Sequence, residues 1–316
     1  MKFLTQLIIS ALAVIITSLI LPGVHIDSPL TGVIVAAVLA VLNAIIKPIL
    51  IILTIPITIF TLGLFLLVIN AGLIMTASEL VHGFSVPYYI WGGTYDSLVQ
   101  QGFQVIRYDE FGRGYSDRPN VTYDPVLYRK QLFDLITSLK LKTPVSLAGL
   151  SFGGAVVSDF AVHYPQLIDK VILIDPVYPF GKINVPVLIA DYKMALDHEK
   201  QASGQLEDFK YPEKFPDWVD RYKVQMQYKG FRHALISTRN NYSQDSIVSN
   251  YHKLGDLHKK ILLIWGKEDR TVLFHYSDSL RKILPADFFP VDDAGHLPHL
   301  EKPFLVNQKI ISFLKE

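Results

Sequence analysis

Three side chains in this sequence have the types and the chain order that acyl transfer needs: a serine, then an acid, then a histidine. Ser151 lies in G-L-S-F-G-G, residues 149–154, directly after the apolar run P-V-S-L-A and directly before a helical pattern. A serine on a sharp strand-to-helix turn stands proud of a sheet, and its strained backbone needs small neighbours. Gly149 and Gly153 meet that need, and the helix opening at Phe152 favours a developing negative charge. His296 falls in D-D-A-G-H-L-P-H-L-E-K-P, where Gly295 permits a turn. Asp269, in W-G-K-E-D-R, is placed to hold the imidazole in its productive tautomer. Asp175, ending K-V-I-L-I-D, is the runner-up acid; Glu268 and Asp292 read as solvated, and His299 as a nearby decoy. Gly83, in His82-Gly83-Phe84, lets a loop bring the Phe84 N–H opposite that of Phe152, and two such donors would form an oxyanion hole.

These residues must be held by a scaffold, and the pattern after Val81 supplies one. Short β-rich runs alternate with helical stretches, which predicts an α/β fold with a mostly parallel sheet and crossover helices. Residues 104–108, 144–149, 170–175, 261–266 and 287–291 read as strands; residues 127–139, 154–163 and 276–284 read as helices. Residues 180–257 interrupt the alternation and read as a helical cap over the sheet, with Trp218, Tyr222, Tyr228 and Phe231 fitting either an apolar pocket or ordinary packing.

Other chemistries fail on the residues. There is no cysteine, so thiol catalysis, disulfides and metal-cysteine sites are excluded. His252 and His258 have no companion ligands, so no metal is expected. Gly112 and Gly114 could open a dinucleotide fingerprint, but Asp117 stands where the third glycine belongs. A net charge of +1 offers nothing to nucleic acid. No cofactor is expected, and protein partners are not legible.

The chain joins two kinds of sequence. Residues 1–78 hold three charged side chains, Lys2, Asp27 and Lys47, whereas the whole chain carries 30 Lys+Arg and 29 Asp+Glu. Residues 3–22, 30–46 and 49 to about 75 are apolar stretches of membrane-spanning length, which predicts a transmembrane domain of about three helices over 1–78. The first reads as a span rather than a cleaved signal, because no small-x-small site follows it. Lys2 and Lys47 favour a cytoplasmic N-terminus, and an odd number of spans then favours an extracytoplasmic face for residues 79–316. No intramembrane carboxylate suggests an ion path.

Two resemblances follow from these motifs. Residues 1–81 resemble small bacterial membrane proteins of the phage-holin-like superfamily in L-P-G-V-H, L-N-A-I-I-K-P-I-L and L-G-L-F-L-L-V-I-N-A, over about a quarter of the chain. That implies a place in the bilayer of a bacterial cytoplasmic membrane. Residues 82–316 resemble the α/β-hydrolase superfamily, in its esterase, lipase and C–C-hydrolase branch. The matching residues are H-G-F with Trp91, D-E-F-G-R-G-Y-S, G-L-S-F-G-G, W-G-K-E-D and A-G-H-L-P-H-L-E-K-P. The resemblance implies Ser151 as nucleophile, His296 as base, Asp269 as orienting acid, and the Phe84 and Phe152 amides as the oxyanion hole.

The expected activity is therefore hydrolysis of a small apolar carboxylic ester or related acyl substrate by a membrane-anchored serine hydrolase. The alternatives are C–C bond hydrolysis by the same residues and a holin-like membrane protein carrying a silent hydrolase appendage. The chain departs from the resemblance in its missing first strands. Residues 74–81 are the single candidate for a central strand, yet they contain Thr76, Ser78 and Glu79 where both faces should be apolar. A junction of two genes would explain this.

Overall fold

The computed structural model describes residues 87–178 and 187–316. The apolar stretches, the 74–81 candidate strand and His82-Gly83-Phe84 lie outside those residues. The chain divides into two units, Met1–Ile74 and Met75–Glu316, and all the described residues belong to the second. Among the described residues, no helix is long and apolar enough to cross a membrane.

Four parallel strands form the sheet: β1 (Val145–Leu150), β2 (Ile168–Ile174), β3 (Lys260–Gly266) and β4 (Asp287–Val291), in the order β1-β2-β3-β4. Eleven helices accompany them among the described residues: α1 (Gly92–Gln100), α2 (Pro125–Ser138), α3 (Phe152–His163), α4 (Val187–Leu196), α5 (His198–Gly204), α6 (Trp218–Met226), α7 (Phe231–Asn241), α8 (Gln244–Asp256), α9 (Tyr276–Arg281), α10 (Pro298–Glu301) and α11 (Pro303–Lys315).

The near-continuous apolar runs of β2 and β3 are explained by burial on both faces. Side chains alternate along a strand, so Val171, Leu173, Leu263 and Trp265 enter one core with Phe152, Phe160 and Tyr251. Ile172, Ile174, Leu262 and Ile264 enter the opposite core with Val306, Ile310 and Phe313 of α11. The two cores make three layers, helix on sheet on helix. Helices α4 to α7 build a third core of their own around Tyr222, Met226, Phe231 and Leu235. Helix α8 packs on α3, with Ile247, Tyr251 and Leu254 in the first core.

One expected strand is absent. Residues 104–108 hold the β-rich run Q-V-I-R-Y, but the chain there is irregular, with Ile106 and Arg107 both exposed. A strand is made by its hydrogen-bonded neighbour, and among the described residues this segment has none. A cavity of about 550 Å³ separates it from β1, lined by Val105, Arg107, Ser146, Ala148, Ile172 and Leu314 among others. That leaves β1 at the edge of the described sheet.

Candidate active site

The turn at Ser151 is built by three successive constraints. Ser151 takes φ +51°, ψ −119°, a left-handed backbone that a non-glycine residue adopts only when its surroundings impose it. The Ser151 N–H donates to the Ile174 carbonyl at 2.9 Å, and the Ser151 carbonyl accepts from Gly154 N at 2.9 Å and Val177 N at 3.0 Å. Ser151 is thus pinned between the ends of β1 and β2 as the N-cap of α3, and is buried. A Cβ on Gly149 would lie 2.3 Å from the Gly153 carbonyl oxygen, so β1 can pass α3 only with glycine there. The second close approach is at Gly154, whose Cβ would lie 2.8 Å from Pro176 Cβ. Among the described residues nothing lies within 4 Å of a Cβ on Gly153, so the expectation that Gly153 is the small neighbour shifts by one residue.

Asp269 and His296 meet at the same C-terminal edge of the sheet. His296 is fully buried, and its Nδ1 lies 2.7 Å from Asp269 Oδ2. Asp269 Oδ1 accepts from the Thr271 and Val272 amides at 2.8 and 2.9 Å, which fixes the carboxylate and leaves its second oxygen for the imidazole. His296 Nε2 is buried without a hydrogen-bond partner among the described residues. Burial pushes the imidazole down, but the charge and hydrogen bond of Asp269, with Asp208 behind, overcome it and hold His296 above the ordinary histidine value. Leu150 and Leu297, the neighbours of Ser151 and His296, share one apolar cluster with Phe209 and Trp218 of the cap.

The model of the Alpha/beta hydrolase family matches residues 80–309. The chain belongs to the alpha/beta hydrolase family. It is 26% identical over 262 residues to the AB hydrolase superfamily protein YfhM of Bacillus subtilis, covering 75% of this chain and 89% of that protein. An esterase from Thermogutta terrifontis superposes with a TM-score of 0.62 at 22% identity, over 74% of this chain and 88% of that one. A 2-hydroxy-6-oxo-6-phenylhexa-2,4-dienoate hydrolase from Rhodococcus sp. superposes with a TM-score of 0.63 at 22% identity, over 75% and 89%. Both share the fold.

A second model, Mycobacterial 4 TMS phage holin, superfamily IV, matches residues 1–101. The uncharacterized membrane protein YvlD of Bacillus subtilis is 38% identical over 109 residues, covering 32% of this chain and 92% of that protein. The N-terminal part therefore belongs to a holin-like family, and this supports membrane association. The two models overlap at residues 80–101. The first curated relatives that the chain matches are spanned over 33% of their length.

The other predicted site residues of the hydrolase separate cleanly. Asp175 lies beside Asp269 and His296, one ligand atom of each falling within 4.8 Å of the others. Asp292 is exposed and pairs with Lys267, whereas Glu268 is not simply solvated: it accepts Ala294 N at 3.0 Å and Lys210 Nζ at 3.1 Å. His299 is buried against Trp91 and bonds the Ile90 carbonyl at 3.1 Å, with burial pushing it down to about 4.

Two supports of the His296 loop were not legible in the sequence. The Asp208 carbonyl accepts His296 N at 2.8 Å, and Thr271 Oγ1 donates to Asp208 Oδ1 at 2.6 Å. Glu301 accepts three amides, Gly295 at 2.5 Å and Lys210 and Tyr211 at 3.0 Å each, stapling the cap segment to the loop. Gly295 is required by this approach rather than by a turn: its Cβ would lie 2.7 Å from the Asp208 carbonyl oxygen and 2.8 Å from Lys210 N. The one signal was Glu301 itself, five residues past His296.

Proposed function

We propose that this hydrolase is membrane-anchored and cleaves a carboxylic ester or related acyl bond through Ser151, His296 and Asp269. The observation that carries the reading is His296: paired at Nδ1 with a buried carboxylate, unpartnered at Nε2, on the sheet edge where Ser151 holds its left-handed turn. Ser151 attacks the carbonyl, His296 Nε2 takes the hydroxyl proton, and the proton then passes to the leaving alcohol. Water, deprotonated by the same nitrogen, releases the acid. The Phe152 amide at the head of α3, with that of Phe84, receives the oxyanion. Residues 1–78 are the anchor and residues 79–316 the hydrolase domain, on the extracytoplasmic face.

Fluorophosphonate labelling of membranes carrying the full chain tests this without a guessed substrate, because the reagent needs an activated serine. Labelling in the membrane fraction that disappears in Ser151→Ala is the expected result. A well-expressed chain that stays unlabelled would overturn the reading in favour of a silent appendage.

The imidazole must be neutral to accept a proton, and Asp269 raises its pKa. The labelling rate is therefore expected to fall as pH drops through a midpoint above the ordinary histidine value of about 6.5. A pH–rate profile from 5 to 9 checks this, and a midpoint below about 6 contradicts it.

A further inference from the structure

The proposed reaction leaves one buried acid without a task. Asp175 follows β2 at φ +41° and is fully buried, and its N–H donates to the Ile264 carbonyl at 2.9 Å. Its Oδ1 accepts Gly266 N at 2.9 Å, while its Oδ2 has no hydrogen-bond partner among the described residues. This carboxyl stands within 4.8 Å of both the Asp269 carboxylate and the His296 ring nitrogen.

The trio is a poor metal cradle. Asp269 already spends Oδ1 on two amides and Oδ2 on His296, and Asp175 spends Oδ1 on Gly266. What remains is two carboxyls and one imidazole in a space closed to water. Two carboxylates this close cannot both stay ionised there. Asp269 has two amide donors and an imidazole to favour its charge, against one amide for Asp175, so the charge settles on Asp269. Burial, and then the charge of Asp269, pushes the Asp175 carboxyl well above the usual carboxylate range, and Glu301 adds to this. Asp208 also bears on His296, and His299, kept neutral by burial, lies beside it.

We propose that Asp175 is a second positioning acid of this site, neutral while Asp269 is present and able to replace it as the charged partner of His296 when Asp269 is removed. The proposal rests on reading Ser151 and His296 as nucleophile and base. It makes the site a four-residue unit whose acid comes from either of two strand ends, β2 or β3.

A double-mutant cycle in membrane-embedded full chain tests it, read as the fluorophosphonate labelling rate of Ser151. Asp269→Ala is expected to slow labelling about 10²-fold, rather than the ~10⁴-fold that follows when an orienting acid is lost without replacement. Asp175→Asn alone should slow it roughly threefold, and adding Asp175→Asn to Asp269→Ala should cost a further ~10²-fold, far beyond the product of the separate effects. The pH profile supplies a readout that packing alone would not move. Removing the Asp175 carboxyl as well, with only the more weakly acting Asp208 left, should shift the acid limb of the double variant below that of Asp269→Ala. Equal rates and coincident acid limbs for those two variants would overturn the proposal while leaving Ser151 and His296 in their roles. An unlabelled wild-type chain would instead remove the reading on which it rests.

Discussion

Replacing His296 with alanine is expected to lower the turnover of an activated ester by about 10⁴- to 10⁶-fold, close to the loss from Ser151→Ala. The serine hydroxyl is a poor nucleophile until a base takes its proton, and Nε2 of His296 is left without a partner among the described residues. Residues that act as one unit lose activity together, so adding Ser151→Ala to His296→Ala should cost little more. The rival explanation is that His296 merely fills a buried space. In that case His296→Ala would cost stability while the folded fraction kept its activity. The two are separable because Asp269 keeps its Thr271 and Val272 amides when the imidazole is gone. Turnover normalised to the folded fraction, measured by tryptophan fluorescence, decides the matter. A loss of less than about tenfold per folded molecule would remove His296 from the chemistry.

Where sequence and structure agree, the reason is local. K-V-I-L-I and I-L-L-I-W announce strands because both faces are buried, and no distant contact is needed to see it. Ser151 is readable because the strain of its turn, and the small residues that permit it, lie within six residues. Asp269 and His296 are readable from their places after β3 and β4. Legibility ends where a residue's task is set by something far along the chain. Residues 104–108 have the composition of a strand, but a strand also needs a neighbour, and no pattern within five residues can report that. Glu301 bonds amides 90 and 91 positions away, in a segment whose composition reads only as cap. The same holds for Asp175: one sequence offers it and Asp269 as rival acids, and only the fold brings both to one histidine.

The dependence of the site on backbone packing yields the second large expected effect. Gly266→Ala should cost about 3 kcal/mol of stability and, in the fraction that folds, lower turnover by about 10²-fold. A Cβ on Gly266 would lie 1.9 Å from the Gly295 carbonyl oxygen and 2.6 Å from that of Ala294, both backbone atoms that no rotamer change can clear. One side must move, and β3 is the less able to. Gly266 is paired with Val291 of β4, and its N–H is held by Asp175 Oδ1. The loop over residues 294–296 therefore yields, although Glu301 and Asp208 hold it from the far side. A displacement of this kind carries His296 off Asp269, and a shift near 1 Å suffices for the stated loss of rate. Gly93→Ala is the comparison, since among the described residues a Cβ there meets nothing within 4 Å. Its stability should stay within about 0.5 kcal/mol of the parent chain. Thermal unfolding of the two variants beside the parent measures the first effect, and ester turnover per folded molecule the second. A Gly266→Ala chain that melts with the parent and turns over at the parental rate would mean that β3 can retreat after all, and with it the Asp175 contact that holds Gly266.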